Sequence, residues 1–298
     1  MSEDNVGLIG LGAMGRPMAA RLLRAARERG AELWVHSRRR ASAEELVAAG
    51  ARWAATPAEL AGRCGVVVSM VQDLPQVAEV LHGDGGLLAG LSAPAVLVLS
   101  STSSPDGVRT LAEDVARRSG GRLAVVDAPV SGGVEGAAEG TLSIMVGGAP
   151  ADVARALPWL GALGTAVHLG PIGAGQVAKA CNQLIVAATT VALGEASVIA
   201  ERSGLDLARL LDLLGGGYAG SRLLEVKKSR LVGHDYTPAG PAKFMVKDLA
   251  FAAEEARRTG VAVRQLPVLQ EVFGDITARG LGDLDTAVVQ RDLEDRSA

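Results

Sequence analysis

A doubly wound, mostly parallel α/β domain followed by an all-helical one is the architecture this sequence predicts, and three observations carry it. Short aliphatic runs alternate with helix-period segments through the first half of the chain. Those runs lack the in-out alternation of a half-exposed strand, which is the pattern of a sheet covered on both faces. Near His168 the pattern changes, and from there the chain reads as helix almost to its end. Strands separated by helices pair in parallel, because each crossover helix packs back onto the sheet.

The strand runs are residues 6–9, 32–36, 66–70, 95–99, 123–127 and 142–146, and helical segments are expected at 16–29, 43–49, 76–81 and 107–118. Residues 176–202 form one helical segment of unusual length, apolar on several faces at its centre. At 1.5 Å per residue it spans roughly 40 Å, enough to run from one domain into the next. The domains are accordingly placed at 1–170 and 171–298, with no flexible linker between them and no internal repeat.

The composition excludes several function classes. The 298 residues are 48% hydrophobic and 21% charged, as expected of a soluble globular chain, and aromatics are scarce, so the core must be built from small aliphatic side chains. A net charge of −3 gives no general attraction to nucleic acid. The start, Met1-Ser2-Glu3-Asp4-Asn5, is acidic and polar, unlike a signal peptide, and the apolar stretch 184–200 is too short and polar for a membrane span. Cys64 and Cys181 stand far apart, which fits a reduced cytoplasm. The four histidines (His36, His82, His168, His234) are equally scattered, and no metal is expected.

The first strand runs into Gly10-Leu11-Gly12-Ala13-Met14-Gly15, a G-x-G-x-x-G spacing that opens an amphipathic helix. The first glycine allows a tight turn, the second lets a pyrophosphate approach the backbone, and the third lets helix and strand pack closely. The N-terminus of that helix offers free N–H groups and the positive end of the dipole to phosphates. The context of strand, loop and helix is the one a Rossmann dinucleotide site requires. At the end of the second strand, where a carboxylate would hold the ribose hydroxyls of NAD, the chain has His36-Ser37-Arg38-Arg39-Arg40 and no carboxylate before Glu44. Ser37 and the guanidinium groups of Arg38 and Arg39 suit a 2′-phosphate, so NADP(H) is the preferred cofactor and NAD(H) the possible one.

Four ordered motifs resemble the β-hydroxyacid dehydrogenase family, which includes 3-hydroxyisobutyrate dehydrogenase and tartronate semialdehyde (2-hydroxy-3-oxopropionate) reductase. They are residues 10–18 (GLGAMGRPM), 127–133 (DAPVSGG), 173–182 (GAGQVAKACN) and 247–249 (KDL), and together they span almost the whole chain. The resemblance implies a Rossmann domain joined to an all-helical one. It implies that Lys179 is the catalytic lysine, with Asn182 three residues on along the same helix face. An ammonium there can donate a proton to a substrate carbonyl as hydride arrives, and take one from a hydroxyl in reverse. The resemblance also assigns the substrate's carboxylate to Ser131, Gly132 and Gly133, and places Thr102 beside cofactor and substrate. Met70, Val71, Gln72 and Gln76, around the end of the third strand, are expected to contact the cofactor. Lys247 aligns with a lysine near the nicotinamide, the plain alternative being a surface lysine paired with Asp248.

The chain departs from the family pattern at Val71-Gln72, where Leu-Pro is usual, at Gly240, where a Phe is frequent, and at Arg222, where other branches carry Trp. Competing classes fit less well. Tyr218 and Tyr236 lack a Lys four residues on, which excludes a short-chain dehydrogenase, and a zinc alcohol dehydrogenase lacks its ligands. An imine reductase of the same fold usually lacks the lysine at 179. A non-catalytic dinucleotide-binding module would be expected to lose Lys179 and Asn182. The expectation is therefore a small carboxylate-bearing hydroxyacid or semialdehyde as substrate, no nucleic acid or membrane partner, and a homodimer or homotetramer.

Overall fold

The computed structural model describes residues 5–297, so the polar start at 1–4 lies outside the described residues. The chain forms two compact units, residues 1–179 and 180–298, a division that falls within one continuous helix, Ala174–Arg202. The last strand ends at Gly170, nine residues before that division.

The first unit is a nine-stranded sheet with β1 at Val6–Ile9, β2 at Leu33–His36, β3 at Arg52–Trp53, β4 at Val66–Ser69, β5 at Ala95–Leu99, β6 at Leu123–Asp127, β7 at Val130–Ser131, β8 at Leu142–Gly147 and β9 at Gly164–Gly170. The order is β3-β2-β1-β4-β5-β6-β8-β7, with β9 paired to β8. From β3 to β6 the pairs are all parallel, with Val6 opposite both Leu33 and Val66. The direction of strand order reverses between β1 and β4, and in such sheets ligands bind in the crevice beyond the strand C-termini at that point. Helix Gly15–Glu28 buries Met18, Ala19, Leu22 and Leu23 against one face, together with Val6, Leu8 and Val35. On the other face Val67, Leu97 and Leu99 pack with Leu60, Leu81 and Val108.

The sequence signal missed three strands and the antiparallel pairing of β8 with β6 and β7. β3 and β7 have two residues each, too short to show a period. β9 is largely exposed and closed by a glycine at each end, so it lacks a buried aliphatic run. Two helices begin earlier than expected, because Asp73 and Ser104 cap them and Pro75 and Pro105 occupy their first turns.

In the second unit, helices Leu207–Gly215, Arg222–Gly233, Lys243–Thr259, Gln265–Ala278 and Val289–Arg296 follow the long helix. Phe273, Ile276, Leu249, Leu266 and Val288 make its larger core. The most apolar window of the long helix has a mean hydropathy of 1.6, and half of that window is buried within the protein. Glu201, His234 and Glu294, far apart in sequence, converge with their ligand-type atoms within 4.8 Å, an arrangement no spacing announced. His234 satisfies it internally, with Nε2 3.0 Å from Glu201 and Nδ1 3.4 Å from Glu294.

Candidate active site

The dinucleotide loop follows from steric demands of the backbone. Gly10 has φ +99°, and a Cβ there would lie 2.6 Å from the carbonyl oxygen of Met70, the residue that follows the neighbouring strand β4. A Cβ on Gly15 would lie 1.8 Å from the Gly10 carbonyl oxygen. Both positions therefore exclude every side chain. Gly12 differs, since a Cβ there meets nothing within 4 Å and its φ is not positive. The fold itself does not demand that glycine, and without a side chain there the backbone is open to close approach of a phosphate group. No side chain caps the start of helix Gly15–Glu28 and no acidic residue occupies its first turn, so its polar N-terminus suits an anion. Gly12→Ala is accordingly expected to leave the urea midpoint unchanged, within about 0.5 kcal/mol. The same variant should weaken dinucleotide binding at least tenfold, measured by nicotinamide fluorescence titration.

At the strand-order reversal lies a cleft of about 570 Å³ lined by Gly10, Leu11 and Gly12, by Ser37, Arg38 and Arg39, and by Met70, Val71, Gln72 and Gln76. All ten are sequence-predicted cofactor residues; Ala13, Met14 and Gly15 continue the same loop into the helix. The cleft also takes in His36, Ser42, Thr56, Glu79 and His82, which the sequence reading had not assigned. His36 stacks on Trp53 at 5.7 Å, and its Nδ1 lies 3.0 Å from the Ala54 carbonyl, which fixes the wall beside the basic turn. Arg38 and Arg39 are exposed, and among the described residues no carboxylate pairs with either.

The parallel strands deliver further predicted residues to the same C-terminal edge of the sheet. Thr102 follows β5, Ser131 ends the short β7 that comes after β6, and Gly132 and Gly133 follow it. Gly132 (φ +133°) and Gly133 (φ +67°) adopt conformations that other residues rarely take, so the exposed turn depends on them.

Asp127, the last residue of β6, organises the start of the long helix. It is fully buried and accepts hydrogen bonds from the Gly173 and Gln176 backbone N–H groups, each at 2.7 Å. Burial pushes its carboxyl above the usual range, opposed by these two hydrogen bonds and by the charge of Arg109. Gly147 and Gly175 close around it: a Cβ on either would lie 2.4 Å or 2.8 Å from an Asp127 oxygen. One turn into the helix, the buried Gln176 side chain donates to the Ser101 carbonyl and accepts from the Ser103 N–H, both at 2.9 Å. Lys179 follows three residues later, 7% exposed.

In the second unit Asn182 and Lys247 join one hydrogen-bonded chain. Asn182 donates to Gln183 at 2.9 Å, Gln183 to Asp248 at 2.7 Å, and Lys247 to Asp248 at 2.8 Å. Lys247 thus makes the neighbour pairing anticipated for a surface lysine, while its Nζ lies 5.4 Å from the Phe251 ring centre and its side chain is 38% exposed. Gln183 and Asp248 are buried. The sequence motifs contain Asp127 and Gln176 without indicating a role for either, they suggest Asp248 only as a partner for Lys247, and they do not single out Gln183.

Two family models match the chain end to end. The NAD-binding domain of 6-phosphogluconate dehydrogenase covers residues 5–173, and the NAD-binding domain of NADP-dependent 3-hydroxyisobutyrate dehydrogenase covers residues 173–291. The 2-hydroxy-3-oxopropionate reductase of Escherichia coli (strain K12) is 37% identical over 97% of each chain. The NAD-dependent L-serine dehydrogenase of Pseudomonas aeruginosa is 35% identical over 96% of each. A crystal structure of 3-hydroxyisobutyrate dehydrogenase from Salmonella typhimurium superposes with a TM-score of 0.85 at 29% identity, covering 96% of this chain and 99% of that one.

Proposed function

The chain belongs to the β-hydroxyacid dehydrogenase family and is an NAD(P)-dependent oxidoreductase, and from that premise we propose that it is an NADP(H)-preferring 3-hydroxyacid dehydrogenase or semialdehyde reductase. Its substrate is a small carboxylic acid with a hydroxyl or aldehyde carbon one position beyond the α carbon. The observation that carries this reading is one hydrogen-bonded path: Val71 lines the dinucleotide cleft, its carbonyl accepts from the Ser101 hydroxyl, and Gln176 ties Ser101 to the helix bearing Lys179.

When bound, the nicotinamide supplies or accepts hydride at the carbinol carbon. Lys179 holds the reacting oxygen, giving it a proton during reduction and taking one from the hydroxyl during oxidation. Asn182, three residues along the same helix, holds that oxygen or a neighbouring hydroxyl. Ser131, Gly132 and Gly133 hold the carboxylate through the hydroxyl and backbone N–H groups. Ser37, Arg38 and Arg39 hold a 2′-phosphate; among the described residues no carboxylate pairs with either arginine, which supports this reading.

Two measurements test the reading. A panel of semialdehydes of malonic, tartronic, methylmalonic and succinic acid with NADPH and NADH identifies the substrate, and NADPH is expected to support the higher kcat/KM. Arg38→Ala should lower the NADPH/NADH preference about tenfold or more by raising KM for NADPH alone, as loss of a phosphate contact of about 1.5–3 kcal/mol predicts. An unchanged preference would overturn the assignment of the basic turn. We also propose a homodimer or homotetramer, which light scattering of the purified protein tests directly.

A further inference from the structure

The buried Gln176 side chain uses both the donor and the acceptor side of its amide on one short stretch of backbone. Its Nε2 donates to the Ser101 carbonyl and its Oε1 accepts from the Ser103 N–H, so the peptide groups on either side of Thr102 are gripped at once. The Gln176 backbone N–H is held at the same time by Asp127. A side chain and a main chain anchored in different directions fix both the height of this helical turn and its rotation about the helix axis. Lys179 lies three residues on, on the same face as Gln176, so its direction is set by that rotation. Ser101 in turn donates to Val71, which lines the dinucleotide cleft.

We infer that Gln176 is the positioning residue for Lys179, coupling the loop that carries Thr102 to the helix that carries the proton-handling ammonium. This rests on the reading of Lys179 given above. A buried amide answers both backbone groups at once, whereas an apolar replacement takes the partner from a buried N–H and a half-buried carbonyl and frees the helix turn to rotate. Displacement of a catalytic group by about 1 Å costs on the order of 100-fold in rate. The dinucleotide cleft lacks Gln176 among its lining residues, so cofactor affinity is expected to stay the same.

The test compares Gln176→Met, Gln176→Glu and Lys179→Ala in the full chain, with thermal midpoints and NADPH affinity measured beside kcat and KM. Gln176→Met should lower kcat about 10- to 100-fold with NADPH affinity unchanged. In Gln176→Glu the introduced carboxyl can reproduce both bonds only when protonated, since the ionised form cannot donate to Ser101. Its kcat should therefore recover towards wild type as pH falls, a trend a purely structural role would not produce. Wild-type kcat in Gln176→Met, or equal kcat losses in both Gln176 variants at every pH, would overturn the positioning role, leaving the Lys179 reading intact if Lys179→Ala is inactive. Near-normal turnover in Lys179→Ala would overturn the Lys179 reading itself, and the positioning role with it.

Discussion

Lys179→Ala is expected to lose turnover by 10²- to 10⁴-fold while binding NADPH as tightly as the wild type, the range that a positioned general acid-base group contributes. The loss should fall on kcat rather than on KM, because the ammonium matters most as negative charge builds on the reacting oxygen. In reduction the carbonyl carbon gains a hydride and the oxygen must gain a proton; in oxidation both leave. Without a nitrogen at position 179 that proton must come from water, and the reduction rate should then follow solvent acidity instead of a protein group. Steady-state kinetics in both directions from pH 5 to 10, with NADPH fluorescence titration of the same samples, separates chemistry from binding.

Asp127→Asn is expected to lower stability by about 3–5 kcal/mol at pH 7, read as a fall in the urea midpoint. Both oxygens of Asp127 accept backbone N–H groups at 2.7 Å. An amide replaces one of those acceptors with a donor facing a donor. That removes a hydrogen bond to a charged group, worth about 1.5–3 kcal/mol, and leaves a buried N–H unsatisfied at about 1–3 kcal/mol. The close approach of Gly147 and Gly175 leaves no room to relax. The pH dependence has a definite sign. Burial raises the folded-state carboxyl above its unfolded value, near 3.9 in model peptides, so the native state binds the proton more readily than the unfolded chain. The stability contributed by this protonation is fully present below the unfolded value and is lost as pH rises through the folded value. The gap between wild type and Asp127→Asn should accordingly widen as pH is lowered from 7 towards 4.

What the sequence revealed and what it concealed divide along the distance between interacting residues. The glycine loop was legible because its strand, turn and helix are contiguous, and every steric demand on Gly10 and Gly15 arises within that unit or from the adjacent strand. The basic turn at Arg38 and Arg39 was legible because charge at the end of β2 faces the cleft by topology alone. The two anchors of the long helix were not. Asp127 meets partners 46 and 49 residues away, and Gln176 meets partners 73 and 75 residues away. Such bonds leave no local periodicity, and in sequence each residue is an ordinary polar position inside a glycine-containing motif. The chain of Asn182, Gln183, Asp248 and Lys247 was hidden for the same reason, since its central bond spans 65 residues. The edge strand β9 escaped notice on different grounds: exposed on most of its residues, it carries no apolar run for a periodicity reading to find.

In the proposed function, hydride and proton are exchanged with a small β-semialdehyde at a site served by Lys179. Incubating the protein with tartronate semialdehyde and NADPH deuterated at the transferable C4 position tests this most directly, with the product analysed by mass spectrometry and proton NMR. One deuterium on the carbinol carbon of the hydroxyacid and one equivalent of NADP⁺ are expected, with label transfer slowed about 10²- to 10⁴-fold in Lys179→Ala. Failure to label any of the small β-semialdehydes, with label passing instead to the carbon of a cyclic imine, would contradict it.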